Sequence, residues 1–176
     1  MNKNAKMTDN EQQKIFQEWL NTYRALLFKV IKSNASNPDD QDDLFQEICL
    51  QIYRSIPNFK AESAVSTWLY RIALNTTIKW SAREKKHGDN HQKIESLPHL
   101  LTQSTESLDI QVSWLYSEIK KLNEIDRSLI LLLLDGFSYK TMSEILGISE
   151  SNIGTKIHRI KKQFIIKAKE TEYDRF

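Results

Sequence analysis

The chain has 176 residues with 25 Lys or Arg against 23 Asp or Glu, so its formal net charge is only +2 and the total says nothing about acidic partners. A single Cys, Cys49, excludes an internal disulfide and fits a reducing compartment. The longest apolar run, Leu129 to Leu134, is too short for a signal peptide or a membrane span, so a soluble protein of the cytoplasm is expected.

Gly and Pro are few and apolar residues recur at spacings of three and four, which predicts an all-α protein of one medium domain or two small ones. From Glu11 the positions Ile15, Trp19, Tyr23, Leu26, Leu27, Val30 and Ile31 fall on one stripe, read as one core-facing helix ending before Asn34. Asn37 then reads as a cap with Pro38 at the first helical position. Asp39, Asp40, Asp42 and Asp43 follow, where the positive end of the helix dipole favours carboxylates. Leu44, Ile48, Ile52 and Ile56 form the buried stripe, and Asp43, Gln46 and Glu47 a polar ridge beside it. Taken alone, that ridge reads as a solvated face. A calcium loop is excluded, because the sixth position has no glycine and the twelfth no glutamate.

Pro57 and Asn58 break this helix. A loop runs to a second one, capped by Ser63 or Ser66, that buries Leu69, Ile72, Ala73, Thr76 and Trp80. Arg71, Asn75, Lys79 and Arg83 recur on a neighbouring face. Aromatic and basic residues mixed at such a junction suit single-stranded nucleic acid, where bases stack on rings and phosphates meet cations, although aromatics alone are more often core. Residues 88–107 are polar, are interrupted by Pro98 and read as a flexible linker, giving domains 1–87 and 108–176. His87 and His91 have no third ligand nearby, so no metal is expected.

In the second domain, 109–122 reads as an amphipathic helix through Ile110, Trp114, Leu115 and Ile119. Asn123 caps the next, with Ile125, Leu129, Ile130, Leu132 and Leu133 as core and Gly136 as its end. The leucine run allows a dimer seam, but burial in a small helical domain accounts for it better. Ser138 to Gly147 and Ser149 onward then form two short amphipathic helices, each opened by a serine. Gly147 ends the first, and Met142, Ile145, Leu146, Ile148, Ile153, Ile157 and Ile160 share one core. That is the sequence form of a helix-turn-helix. Ser151, Asn152, Thr155, Lys156, His158 and Arg159 are left to point outward, types suited to base edges and phosphates. From Ser151 to Lys169 there are six Lys or Arg and no Asp or Glu, where a merely solvated helix mixes the signs.

Asp43-Leu44-Phe45-Gln46-Glu47, Phe59 and Ser66-Thr67-Trp68-Leu69-Tyr70-Arg71-Ile72-Ala73-Leu74-Asn75 resemble the second conserved region of bacterial sigma factors of the extracytoplasmic-function group. Leu122 to Phe164, with Gly136-Phe137-Ser138-Tyr139 and Glu144-Ile145-Leu146-Gly147-Ile148-Ser149, resembles that group's fourth region. The resemblance implies a specificity subunit of RNA polymerase, not an enzyme, that needs no cofactor. Asp43, Gln46 and Glu47 would dock on the clamp of the polymerase large subunit. The loop from Phe59 to Ala64, including Lys60 and Ser63, would hold a flipped base of the minus-ten element, with Trp68, Arg71, Asn75 and Lys79 on the helix behind it. Ser151, Asn152, Thr155, Lys156, His158, Arg159 and Lys162 would face the minus-thirty-five duplex. An anti-sigma partner is implied as well.

Flipping a base costs a few kcal/mol, comparable to one or two stacking contacts of about 1–3 kcal/mol each, so the loop must be pre-shaped. Primary sigma factors have two adjacent Trp residues and a further aromatic here, where this chain has Trp68, Leu69 and Val65, which implies weaker melting. Gly154 stands where many relatives carry a cation, and a close backbone approach to DNA would rationalise it. The competing reading is a stand-alone helix-turn-helix regulator that binds duplex DNA as a dimer. An enzyme is disfavoured, since there is no phosphate loop or nucleophile–base arrangement at usable spacing.

Overall fold

The structure is a computed structural model that describes residues 7–87 and 110–173, and these are helical with no strand among them. The chain divides into two compact units, Met1–Thr102 and Gln103–Phe176. The linker expected at 88–107 lies outside what is described, and with it His91 of the His87–His91 pair.

The first unit contains α1 (Asp9–Thr22), α2 (Arg24–Asn34), α3 (Pro38–Ser55), a 3-10 turn (Ile56–Asn58) and α4 (Val65–His87). The single N-terminal helix read from the stripe is thus two. Tyr23 leaves helical geometry at φ −108° and ψ 18°, and the chain bends there with neither Pro nor Gly. The bend lets α1 lie on α3 and the 3-10 turn while α2 packs between α3 and α4. Accordingly α1 buries no residue completely, whereas α2 buries Leu27, Val30 and Ile31.

Asn37 caps α3 as expected, its side-chain oxygen accepting the Asp40 N–H at 2.7 Å, with Pro38 in the first turn and Leu44, Ile48 and Ile52 buried below. The start of α4 differs from expectation. Trp68 N–H donates to the Ala64 carbonyl at 3.1 Å, so Ala64 occupies the cap position and neither Ser63 nor Ser66 does. Because α4 is covered by both α2 and α3, it buries a broader face than one stripe: Tyr70, Leu74 and Thr77 join Leu69, Ala73 and Thr76. Cys49 is half-buried, and burial pushes its thiol up to about 11, which leaves it unreactive near neutral pH.

The second unit contains α5 (Ile110–Lys120), α6 (Glu124–Leu134), α7 (Tyr139–Leu146) and α8 (Glu150–Tyr173). Asn123 caps α6 by accepting the Asp126 N–H at 3.0 Å. Arg127 reaches back to close the end of α5, its Nη2 donating to the carbonyls of Lys120 and Leu122, each at 2.7 Å. The leucine run is buried inside the unit as far as Leu132, whereas Leu133 is half-buried and Leu134 exposed. Leu129, Ile130, Leu131 and Leu132 are all covered, with Ile130 and Leu131 meeting Ile119 of α5 and Ile160 of α8. At its end Gly136 takes φ +76°, and the Phe137 and Gly136 N–H groups bond back to Leu132 and Leu133 in the pattern of a Schellman motif. The last helix, read from sequence as short, is 24 residues long.

Candidate nucleic-acid interface

On α3 the ridge divides. Asp43 and Gln46 are exposed, while Glu47 is half-buried and turns toward α4. Its Oε1 accepts the Gln51 amide at 3.1 Å and its Oε2 lies 3.9 Å from Arg83. Glu47 therefore lines an open groove of about 580 Å³ between α3 and α4, together with Arg71, Asn75, Lys79 and Arg83. The four α4 residues are exposed one turn apart, as the spacing predicted. The spacing did not indicate that an acidic residue of α3 shares their groove.

Ahead of α4 the loop is held at both ends. The 3-10 turn delivers Phe59, whose N–H donates to the Ile56 carbonyl at 3.0 Å, and Ala61 takes φ +55° at an exposed position beside Lys60 and Glu62. Left-handed backbone costs a non-glycine residue roughly 1–2 kcal/mol, so surrounding contacts must impose it. On either side of Ala61 the chain is held by a ring cluster. Trp19 of α1 meets Phe59 edge to face at 5.2 Å and Trp68 at 5.7 Å, and Phe59 lies 5.0 Å from Trp68. Phe59 and Trp68, read as stacking surfaces, already have rings packed against them and are half-buried, as is Ser63. Trp19 is the residue that sequence reasoning missed. It was read as one position of a core stripe, and nothing in its spacing ties it to a loop 40 residues away.

The helix-turn-helix closes as its caps foretold. Ser138 Oγ accepts the Thr141 N–H at 3.1 Å, Gly147 takes φ +70°, and Ser149 Oγ accepts the Asn152 N–H at 3.3 Å. Met142, Ile145, Ile153, Ile157 and Ile160 are buried. Ser151, Asn152, Thr155, His158, Arg159 and Lys162 are exposed along one side of α8, and Thr155 donates to the Ser151 carbonyl. Two residues depart from the expected outward display. Lys156 turns inward, its Nζ 2.9 Å from Asp126 Oδ1, and Gly154 faces the Tyr139 ring, where an added Cβ would meet Cε2 at 3.5 Å. That is ordinary van der Waals distance, so the packing of α8 on α7 has room for a methyl group and does not by itself require glycine there.

The basic run is also less unbalanced than it reads. Of its six cations, Lys156 and Arg159 pair with Asp126, and Lys167 pairs with Glu118 at 2.6 Å. Both carboxylates are buried. Burial pushes Asp126 up, but hydrogen bonds from Lys156 and Asn123 and the charges of Lys156 and Arg159 outweigh it and hold the carboxyl below its ordinary value. Hydrogen bonds from Lys121 and Lys167 do the same for Glu118, against its burial. Lys161, Lys162 and Lys169 remain exposed, and among the described residues none has a carboxylate partner.

Residues 19–87 match the family model of sigma-70 region 2, and residues 113–164 match that of sigma-70 region 4. RNA polymerase sigma factor YlaC of Bacillus subtilis (strain 168) is 30% identical over 138 residues, which cover 74% of this chain and 80% of that protein. This chain is a member of the extracytoplasmic-function group of the sigma-70 family. The sigma-E factor of Haemophilus influenzae, of the same group, is 26% identical over 154 residues, 81% of this chain and 79% of that protein. The fold agrees with two solved structures. One is the sigma factor RpoE from Bartonella quintana, in complex with the anti-sigma factor NepR, at TM-score 0.64 and 22% identity over 85% of this chain and 93% of that one. The other is CnrH in complex with the cytosolic domain of CnrY, at TM-score 0.60 and 18% identity over 89% of this chain and 90% of that one.

The sigma factor therefore has regions 2 and 4 in the order its two motif blocks predicted, and the stand-alone regulator is not favoured. The groove and ring cluster lie in region 2, and the helix-turn-helix in region 4. No helix among the described residues is long and apolar enough to cross a membrane.

Proposed function

We propose that this alternative sigma factor binds core RNA polymerase in the cytoplasm through α3, opens the minus-ten element with the loop and groove of region 2, and reads the minus-thirty-five element with α8. It supplies positioning and base recognition and carries out no reaction of its own. Asp43, Gln46 and Glu47 meet the clamp of the polymerase large subunit. Lys60 and Ser63, on a loop braced by Phe59 and Trp68, receive the flipped base. Arg71, Asn75 and Lys79 contact the strand along the groove; they span about 12 Å of helix, the length of three or four stacked nucleotides. Ser151, Asn152, Thr155, His158, Arg159 and Lys162 face the upstream duplex, and a protein anti-sigma factor holds the free chain inactive.

The observation that carries this reading is the presence of both regions, in order, in one chain whose exposed faces carry these residues. Co-purification with core polymerase tests it. Asp43→Lys with Glu47→Lys abolishes capture and leaves run-off transcription from genomic fragments at the level of core enzyme alone. Unchanged capture by a folded variant would refute the docking face.

A further inference from the structure

Asp126 is a buried carboxylate facing two cations of the recognition helix. Its Oδ1 accepts from Lys156 at 2.9 Å, and its Oδ2 accepts from Arg159 at 2.7 Å and from the capping Asn123 at 3.0 Å. The partners lie 30 and 33 residues away, so this contact joins the first turn of α6 to the DNA-facing helix. The two cations are unequally exposed. The Lys156 side chain is 25% accessible with its ammonium group turned to Asp126, whereas Arg159 is 56% accessible and spends one of its two terminal nitrogens there.

We infer that Asp126 is a positioning residue for promoter recognition, one that withholds Lys156 from the DNA backbone and orients Arg159 toward it. The inference rests on the reading of α8 as the minus-thirty-five helix. If Lys156 turned to a phosphate, the buried carboxylate would lose a partner in a poorly solvating site, so the pair stays closed. Arginine differs, because its planar fork of five donors can give one edge to Asp126 and present the rest in a fixed direction, as base reading requires. A lysine and an arginine that both reached freely for phosphates would add sequence-blind affinity. Holding one and aiming the other limits that affinity in favour of selectivity.

Counterion release makes this measurable. Each protein cation that neutralises a phosphate adds about 0.9 to the slope of log Kobs against log[salt], or about a 3.5-fold greater loss of affinity for a fourfold rise in salt. The probe is a random-sequence duplex about 30 base pairs long, titrated with the full chain at several salt concentrations. Asp126→Asn frees the cations and steepens the slope by about 0.9 to 1.8, with tighter random-duplex binding at low salt. Lys156→Met leaves the wild-type slope, whereas Lys162→Met makes it shallower by about 0.9.

A folded Asp126→Asn variant with the wild-type slope would overturn the inference. So would a Lys156→Met variant that flattens the slope as much as Lys162→Met does, and this comparison decides the matter if Asp126→Asn does not fold. Should Lys162→Met also leave the slope unchanged, α8 is not a DNA surface and the inference falls together with the minus-thirty-five reading. A shallower slope for Lys162→Met beside a wild-type slope for folded Asp126→Asn overturns the inference alone and leaves the minus-thirty-five reading standing.

Discussion

Trp19→Ala tests whether a helix outside the loop proposed to meet the promoter gives that loop its shape. Trp19 makes two ring contacts, with Phe59 at 5.2 Å and Trp68 at 5.7 Å, and those two rings carry the loop between them. Aromatic pairs of this geometry contribute about 0.5–1.5 kcal/mol each beyond the area they bury. Two pairs and the partial burial of a large side chain put the loss at about 2–3 kcal/mol, below the 3–5 kcal/mol of a fully buried aromatic because Trp19 is only half-buried. Urea unfolding followed by tryptophan fluorescence reads this loss from region 2, since Trp68 and Trp80 remain there and Trp114 is the only other tryptophan left. The functional consequence is separable from stability. With core polymerase in excess the variant is still captured, because Asp43 and Gln46 lie on another face, but promoter opening, followed by permanganate reactivity of unpaired thymines, falls markedly. Trp19→Phe retains one ring edge and recovers part of it. A loss under about 0.5 kcal/mol with opening unchanged would refute the idea that the ring cluster shapes the loop.

Two further predictions concern region 4. Asp126 and Glu118 have carboxyls held below their ordinary values in the folded state, so each contributes stability that is present above the unfolded value and lost as pH falls toward the folded one. Region 4 therefore loses stability below about pH 4, and Asp126→Asn combined with Glu118→Gln flattens that acid limb of the thermal melt; an unaltered limb would exclude these pairs as its source. Gly154→Ala adds a Cβ at ordinary van der Waals distance, 3.5 Å from Tyr139, and removes a mid-helix glycine. It should stabilise region 4 by about 0.5–1 kcal/mol, seen as a higher melting temperature. A lower one would mean that α7 and α8 pack too closely there to accept a methyl group.

Most of the helices and the caps read from sequence in region 4 were legible because they are local, whereas the closure of α5 by Arg127 was not. Asn37, Asn123, Ser138, Ser149, Gly136 and Gly147 act on amides or carbonyls within a few residues, so their chemistry is written where it is used. Exposed faces followed from spacing too, as with Arg71, Asn75 and Lys79. The break at Tyr23 was not legible, since an apolar stripe runs through it and only the need to cover both α3 and the 3-10 turn bends the chain. The breadth of the buried face on α4 escaped for a similar reason: periodicity assumes one packing partner, and α4 has two.

The sequence alone determined that this is an all-helical chain with two motif blocks in sigma-factor order and a helix-turn-helix near its end. Tertiary structure decided which of the candidate DNA-facing groups are already engaged. Trp19 braces the loop, Glu47 shares a groove with the basic face of α4, and Asp126 takes up Lys156 and one edge of Arg159. The physical reason is that caps and stripes depend on residues a turn or two apart, whereas the partner of a ring or a charge is whatever the fold brings within a few ångströms, and a count along the chain cannot supply it.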